Sequence, residues 1–250
     1  EMDRIRQTER LDVLTLVGPD GRLFYRSRNP NTGTGGDIDD GLVRRVLDTL
    51  EPAAATESVS GDGLAQESPA LAAQAAMTIA PTPRARPATQ AQVRAGMMIR
   101  AAAPVFTPAG RQLGVLYGGV LLNRNYQIVD KIRQTVFKEE EYQGRPVGTA
   151  TIFQNVVRIS TNVRFADGTR AIGSQASAEV SDEVLLRGGT WRGLAFVVDD
   201  WYLSKDGTPQ FKAVAPDAPY SAAPWIRLNP PEQLVAPGAR LRGQFVFGRA

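Results

Sequence analysis

Histidine and cysteine are both absent from this 250-residue chain. Without histidine there is no His-based catalytic triad, no imidazole proton shuttle and no His-containing zinc site. Without cysteine there is no thiol catalysis, no disulfide and no thiolate metal site, and such a chain suits either redox compartment. Serines are present, but no Ser-x-x-Lys pair accompanies them to supply a base. No enzyme activity, cofactor or metal is therefore expected.

Long apolar runs are missing as well. A membrane-spanning helix needs about 18 or more consecutive apolar residues, and the longest stretch here, GVLYGGVLL at 114–122, suits a buried strand. No charged-then-apolar leader opens the chain, and a start at Glu1 reads as a fragment whose natural beginning is missing. Charge of one sign is also lacking. The 29 Lys and Arg nearly balance 26 Asp and Glu, for a net +3, and they are scattered. That is a solvated surface and not a nucleic-acid face. The glycine-rich GTGG at 33–36 does not run from strand to helix and lacks the following Lys-Ser/Thr, so it is no phosphate loop.

What remains is a chain that is 42% hydrophobic, enough to fill one large domain or two modules of about 100–150 residues each. Residues 1–10 are polar and helix-permissive. Residues 11–17 (LDVLTLV) and 22–26 (RLFYR) flank Gly18-Pro19-Asp20-Gly21, a turn in which Pro fixes φ and Asp-Gly tolerates the bend, so 11–26 reads as a hairpin. Asp40 is placed to cap a helix over 41–50, where Leu42, Val43, Val46, Leu47 and Leu50 fall at helical spacing. Residues 52–96 are rich in Ala, Pro, Gln and Ser and read as an insertion of loops with a short helix or strand; within it, PTPRARP at 81–87 should be extended. A second hairpin spans 97–122 and should share one antiparallel sheet with the first. Residues 123–137 read as an amphipathic helix with Asn123 as its cap and Tyr126, Val129, Ile132 and Val136 on one face.

Residues 144–204 carry the candidate site. An apolar strand turns at Gln154-Asn155 into a strand bearing Arg158, Ser160 and Thr161; after a polar loop and short helix, a strand over 194–198 ends in Asp199-Asp200-Trp201-Tyr202. Arg158 is either a guanidinium fork for a ligand carboxylate or an outward-facing strand residue. Thr161 and Asn162 serve the same ligand or ordinary turn chemistry. Adjacent strand residues face opposite sides, so one of Trp201 and Tyr202 walls a cavity, with Tyr202 favoured. The same alternation argues against Asp199 and Asp200 as a glycosidase pair; they bind a ligand ammonium or cap a strand end. In the first hairpin Tyr25, Arg26 and Arg28 form a similar strand-end group, over which Arg84 and Arg86 could close as a lid.

The segments DVLTLVGPDGRLFYRSRNP, APVFTPAGRQLGVLYGGVLLNRNYQIVDKI, GTATIFQNVVRISTNV and AFVVDDWYLS resemble, in order and spacing, the Cache superfamily of PAS-like sensors, in the double form found in bacterial histidine kinases and chemoreceptors. The resemblance implies an α+β fold of PAS-like antiparallel sheets with flanking helices in two tandem modules. The first would span 1–122 with its insertion at 52–96. A connecting helix over 123–143 would lead to the second at 144–204. It further implies a small organic anion as ligand (a carboxylate or amino acid), bound by Arg158, Ser160, Thr161, Asp200, Trp201 and Tyr202, and a membrane-tethered parent at the periplasmic face of the inner membrane, with a homodimer as an admissible assembly. Residues 205–250 depart from the family pattern. They are Pro-rich with short alternating strands at 225–228, 233–235 and 240–247, and bear a weak likeness to an immunoglobulin-like or pilus-chaperone-like β domain. A structural or adhesion β protein without a small-molecule ligand is thus the rival reading.

Overall fold

Two hairpins with well-marked turns set the architecture. The computed structural model describes residues 1–30, 35–82, 84–138, 141–142, 145–146, 148–165, 167–191, 226–229 and 244–247. In chain order the elements are α1 (Met2–Thr8), β1 (Val13–Val17), β2 (Leu23–Arg26), α2 (Gly41–Thr49), β3 (Ala53–Val59), α3 (Gly61–Glu67), α4 (Pro69–Ala75), β4 (Met77–Thr78), β5 (Gln92–Val93), β6 (Gly96–Phe106), β7 (Gln112–Leu121), α5 (Tyr126–Phe137), β8 (Glu141–Tyr142), β9 (Arg145–Pro146), β10 (Thr151–Gln154), β11 (Val157–Thr161) and α6 (Ala178–Ser181), which runs into a π turn at Asp182–Leu186. The strands β12 (Ile226–Asn229) and β13 (Gln244–Phe247) follow. The chain divides into two compact units, Glu1–Trp191 and Arg192–Ala250. Among the described residues no helix is long and apolar enough to cross a membrane.

The fold is α+β with antiparallel sheets. Five strands form the main sheet in the order β2-β1-β7-β6-β3, and every pairing is antiparallel. The two expected hairpins are its backbone. The sequence-based expectation of an insertion over 52–96 is corrected at its start: Ala53–Val59 is an integral edge strand, pairing with β6 from Ala53↔Ala102 to Val59↔Gly96. Its alternate residues are half-buried and exposed, but alanine and serine carry too little hydrophobic contrast for that alternation to be read. The expectation of an extended 81–87 segment also fails. Arg84 has φ +64° and Ala85 N–H donates to Thr82 O, so the chain turns there.

Alternation puts Val13, Thr15, Val17, Met98, Arg100, Ala102, Val115, Tyr117 and Leu121 on one buried face of the sheet. Helix α2 lays Leu42, Val43 and Val46 on that face, and α3 and α4 add Leu64, Leu71 and Ala75. Burying each Leu, Val or Met contributes about 1.5–3 kcal/mol. A smaller second core joins Met77, Leu122, Val157 and Ile159, placing the β10–β11 hairpin against α5 and the β4–β5 hairpin. The turn of that hairpin has Asn155 at φ +52°, a conformation asparagine tolerates better than most residues.

Three residues after β7 form a joint. Asn123 does not cap the following helix as the sequence predicts; Oδ1 accepts from Met97 N at 2.8 Å and Nδ2 donates to Ala75 O at 3.3 Å. Arg124 donates from Nη1 to Gln74 O and to Ala76 O, and its backbone N–H reaches Ile159 O. Asn125 O accepts from Ser160 Oγ at 2.8 Å. On α5, Val129 is buried, whereas Ile132 and Val136 of the expected apolar face are exposed. In the second unit β12 and β13 pair antiparallel, Ile226↔Phe247 to Asn229↔Gln244. The strands expected at 194–198 and 233–235 lie outside the described residues.

Candidate functional site

Strand register gathers the polar side chains of the main sheet. Thr15 stands opposite Arg26 on one side and Tyr117 on the other, and Tyr117 stands opposite Ala102. One step along, Arg100 is paired with Gly119 and with Ala55. Glycine at 119 leaves room for the Arg100 stem, whose Cγ lies 3.0 Å from where a Cβ would sit. Arg26, Arg100 and Tyr117 line a cavity of about 380 Å³, roofed by the 37–41 segment and by α3. That is within the range of small-molecule sites, at its lower end. A neighbouring opening shares Arg26, Asp37, Ile38 and Gln66.

Glu67 organises one half of the wall. Its Oε1 accepts from Tyr117 Oη at 2.6 Å and Arg26 Nε at 3.1 Å, and its Oε2 from Thr15 Oγ1 at 3.0 Å. The position of Glu67 follows from the sequence beside it. Ser68 precedes Pro69, and a residue before proline is driven out of the helical region; Ser68 has φ −168° and ψ 131°, so α3 ends at Glu67 and α4 begins with Pro69. Burial, and then the adjacent Glu67 carboxylate, push the Tyr117 phenol well above its ordinary range, which keeps it a donor.

Arg100 organises the other half. Its Nη2 lies 2.6 Å from Asp40 Oδ2 and its Nη1 3.0 Å from Glu57 Oε2, and its guanidinium stacks 4.8 Å from the Tyr117 ring centroid. Asp40 also caps α2 as the sequence predicts, Oδ1 accepting from Val43 N at 3.0 Å. The wall thus carries both signs, with Arg26 and Arg100 set among Asp40, Glu57 and Glu67.

Of the first-hairpin residues singled out from sequence, only Arg26 lines this cavity. Tyr25 is the next residue on the strand and takes the other face, and Arg28 pairs with Asp12 at 3.5 Å. Arg84 and Arg86 are not a lid on it; they pair with Glu179 and Asp182. Arg100, Tyr117 and Glu67 were missed. The available signal was a polar residue at an inward position of an apolar strand, as in GMMIRAAAPVF and QLGVLYGGVL.

In the second hairpin Arg158 is half-buried. Its Nη1 donates to Ser174 Oγ at 2.6 Å, its guanidinium lies 5.3 Å from the Phe153 ring centroid, and its Nε is buried without a partner. Burial lowers its pKa from the ordinary guanidinium value. Among the described residues no carboxylate pairs with it. Ser160 is fully buried and donates to Asn125 O, while the Thr161 hydroxyl meets Thr151 Oγ1 at 2.7 Å and Ala150 O at 3.3 Å. The structure therefore commits both hydroxyls to internal bonds. Asp200, Trp201 and Tyr202 lie outside the described residues.

Residues 120–205 match the family model described as Single cache domain 3. No curated protein matches the chain. The match supports the Cache family, and a Cache domain implies an extracytoplasmic sensor role with a small-molecule ligand. It begins at the end of β7, so almost all of the main sheet precedes it.

Proposed function

We propose that this chain is the ligand-sensing part of a bacterial signal-transduction receptor, periplasmic and membrane-tethered in its parent. Two PAS-like parts would stand in tandem, and the cavity over the main sheet would take a small organic acid. The observation that carries this is the pair of buried guanidinium groups, Arg26 and Arg100, each under a tenth exposed, facing a half-open cleft of about 380 Å³. Carboxylates on the same wall favour an amino acid over a plain carboxylate, because the ligand ammonium then meets Asp40 or Glu57. Such a module senses without catalysing.

A thermal-shift panel of amino acids and small carboxylates tests this. A ligand at a hundred times its dissociation constant stabilises by about 2.7 kcal/mol, roughly 5–10 °C for a chain of this size. Arg100→Met should remove the shift. A flat panel overturns the reading and leaves the rival, a β-module adhesion protein. Arg158, with its unpartnered buried Nε, supports a second reading in which the anion binds the second hairpin. A shift that survives Arg100→Met and is lost in Arg158→Ala favours that one.

A further inference from the structure

We infer that Thr15, Arg26 and Tyr117 form a carboxylate-binding subsite that the chain's own Glu67 occupies, and that an external carboxylate enters the cavity by displacing Glu67. The three donors come from three adjacent strands in one register row, so the sheet fixes their backbones whether or not Glu67 is there. All three are nine-tenths or more buried, at 0%, 7% and 5% exposure. Glu67 comes from outside the sheet. Its two oxygens accept from all three donors, as the head of a carboxylic acid ligand would.

The segment carrying Glu67 is short. Helix α3 has seven residues, GDGLAQE, two of them glycine, and glycine is the weakest helix former apart from proline. Its buried side chains are Leu64 and Glu67. Beside it, Gln66 and Asp62 line the neighbouring opening, which gives a displaced Glu67 a route to water. A carboxylate that wins the three donors therefore frees the end of α3, and α4 follows directly through Ser68.

This rests on the cavity being a ligand site, and the test separates the two claims. The whole chain is compared with Glu67→Ala and Glu67→Gln in thermal melts with sodium acetate, and with sodium chloride at equal ionic strength. Acetate should raise the melting temperature of Glu67→Ala in a saturable way by several degrees, and that of the unsubstituted chain far less. Glu67→Gln keeps the size of the side chain without its charge and should fold. Acetate should bind it at least about tenfold more tightly than the unsubstituted chain, because the internal competitor has lost a charge-assisted bond. Adding Arg26→Met should abolish both responses. Equal acetate responses in all forms, or responses matched by chloride, overturn the inference. A ligand hit from the panel alongside failed acetate rescue leaves the cavity reading standing and removes Glu67 from it. Rescue with a flat panel leaves the three donors as a carboxylate subsite that Glu67 fills permanently, and overturns its displacement by an external acid.

Discussion

Replacing Asp40 separates two tasks of one carboxylate. Oδ1 caps α2 through Val43 N, and Oδ2 holds Arg100 at 2.6 Å. The two side chains are 17% and 8% exposed, so solvent screens the pair little. Breaking a buried ion pair costs about 3–5 kcal/mol, but Arg100 keeps Glu57 and the Tyr117 ring, so the loss here should be about 2 kcal/mol. A lost N-cap adds about 1 kcal/mol. Asparagine caps as well as aspartate and lacks the charge. Asp40→Asn should therefore cost about 2 kcal/mol and Asp40→Ala about 3. With a urea slope of about 2.5 kcal/mol/M, the midpoints in circular-dichroism titrations fall by about 0.8 M and 1.2 M. Equal losses in the two variants would refute the separate contribution of the cap. Losses under about 0.5 kcal/mol in both would refute the contribution of the Arg100 pair.

Two further outcomes follow from other parts of the first unit. Asp130 is held below its ordinary pKa chiefly by hydrogen bonds from Arg170, at 2.9 and 2.7 Å. Its contribution is therefore complete above the unfolded value of about 3.9 and is lost as pH falls through the lower folded value. Because Asp130 is 43% exposed, screening holds that contribution to under about 1 kcal/mol; Asp130→Asn should melt below the parent at pH 7, and the gap should close in melts at the acid end of a pH series. Gly114 has φ +146° and a Cβ there would sit 1.9 Å from Val17 O, whereas Gly110 at φ +79° has open space around it. Gly114→Ala should cost more than about 2 kcal/mol and Gly110→Ala about 1 kcal/mol, read from urea midpoints.

The legible parts of the fold were those whose signals lie within a few residues. Gly18–Gly21 and Asn155 mark turns by their backbone chemistry, Asp40 marks a helix start by its carboxylate, and β1, β6 and β7 announce themselves by apolar runs. What was not legible depends on partners far along the chain. Arg26 meets Glu67 across 41 residues and Tyr117 meets it across 50, and no local pattern joins them. Asn123 has the side chain of a helix cap and the neighbours of one, yet a closer pairing with Met97 and Ala75 prevailed, and α5 starts at Tyr126. Arg158 was singled out because it sits with hydroxyls in sequence, whereas Ser160 and Thr161 had nearer backbone acceptors to satisfy.

The Asn123–Asn125 joint ties separate parts of the first unit together. These three consecutive residues are bonded at once to the end of α4, to the first strand residues of β6 and to β11. The end of α4 and the β10–β11 hairpin therefore hang on one three-residue stretch, and a substitution at Asn123 or Arg124 loosens both attachments together.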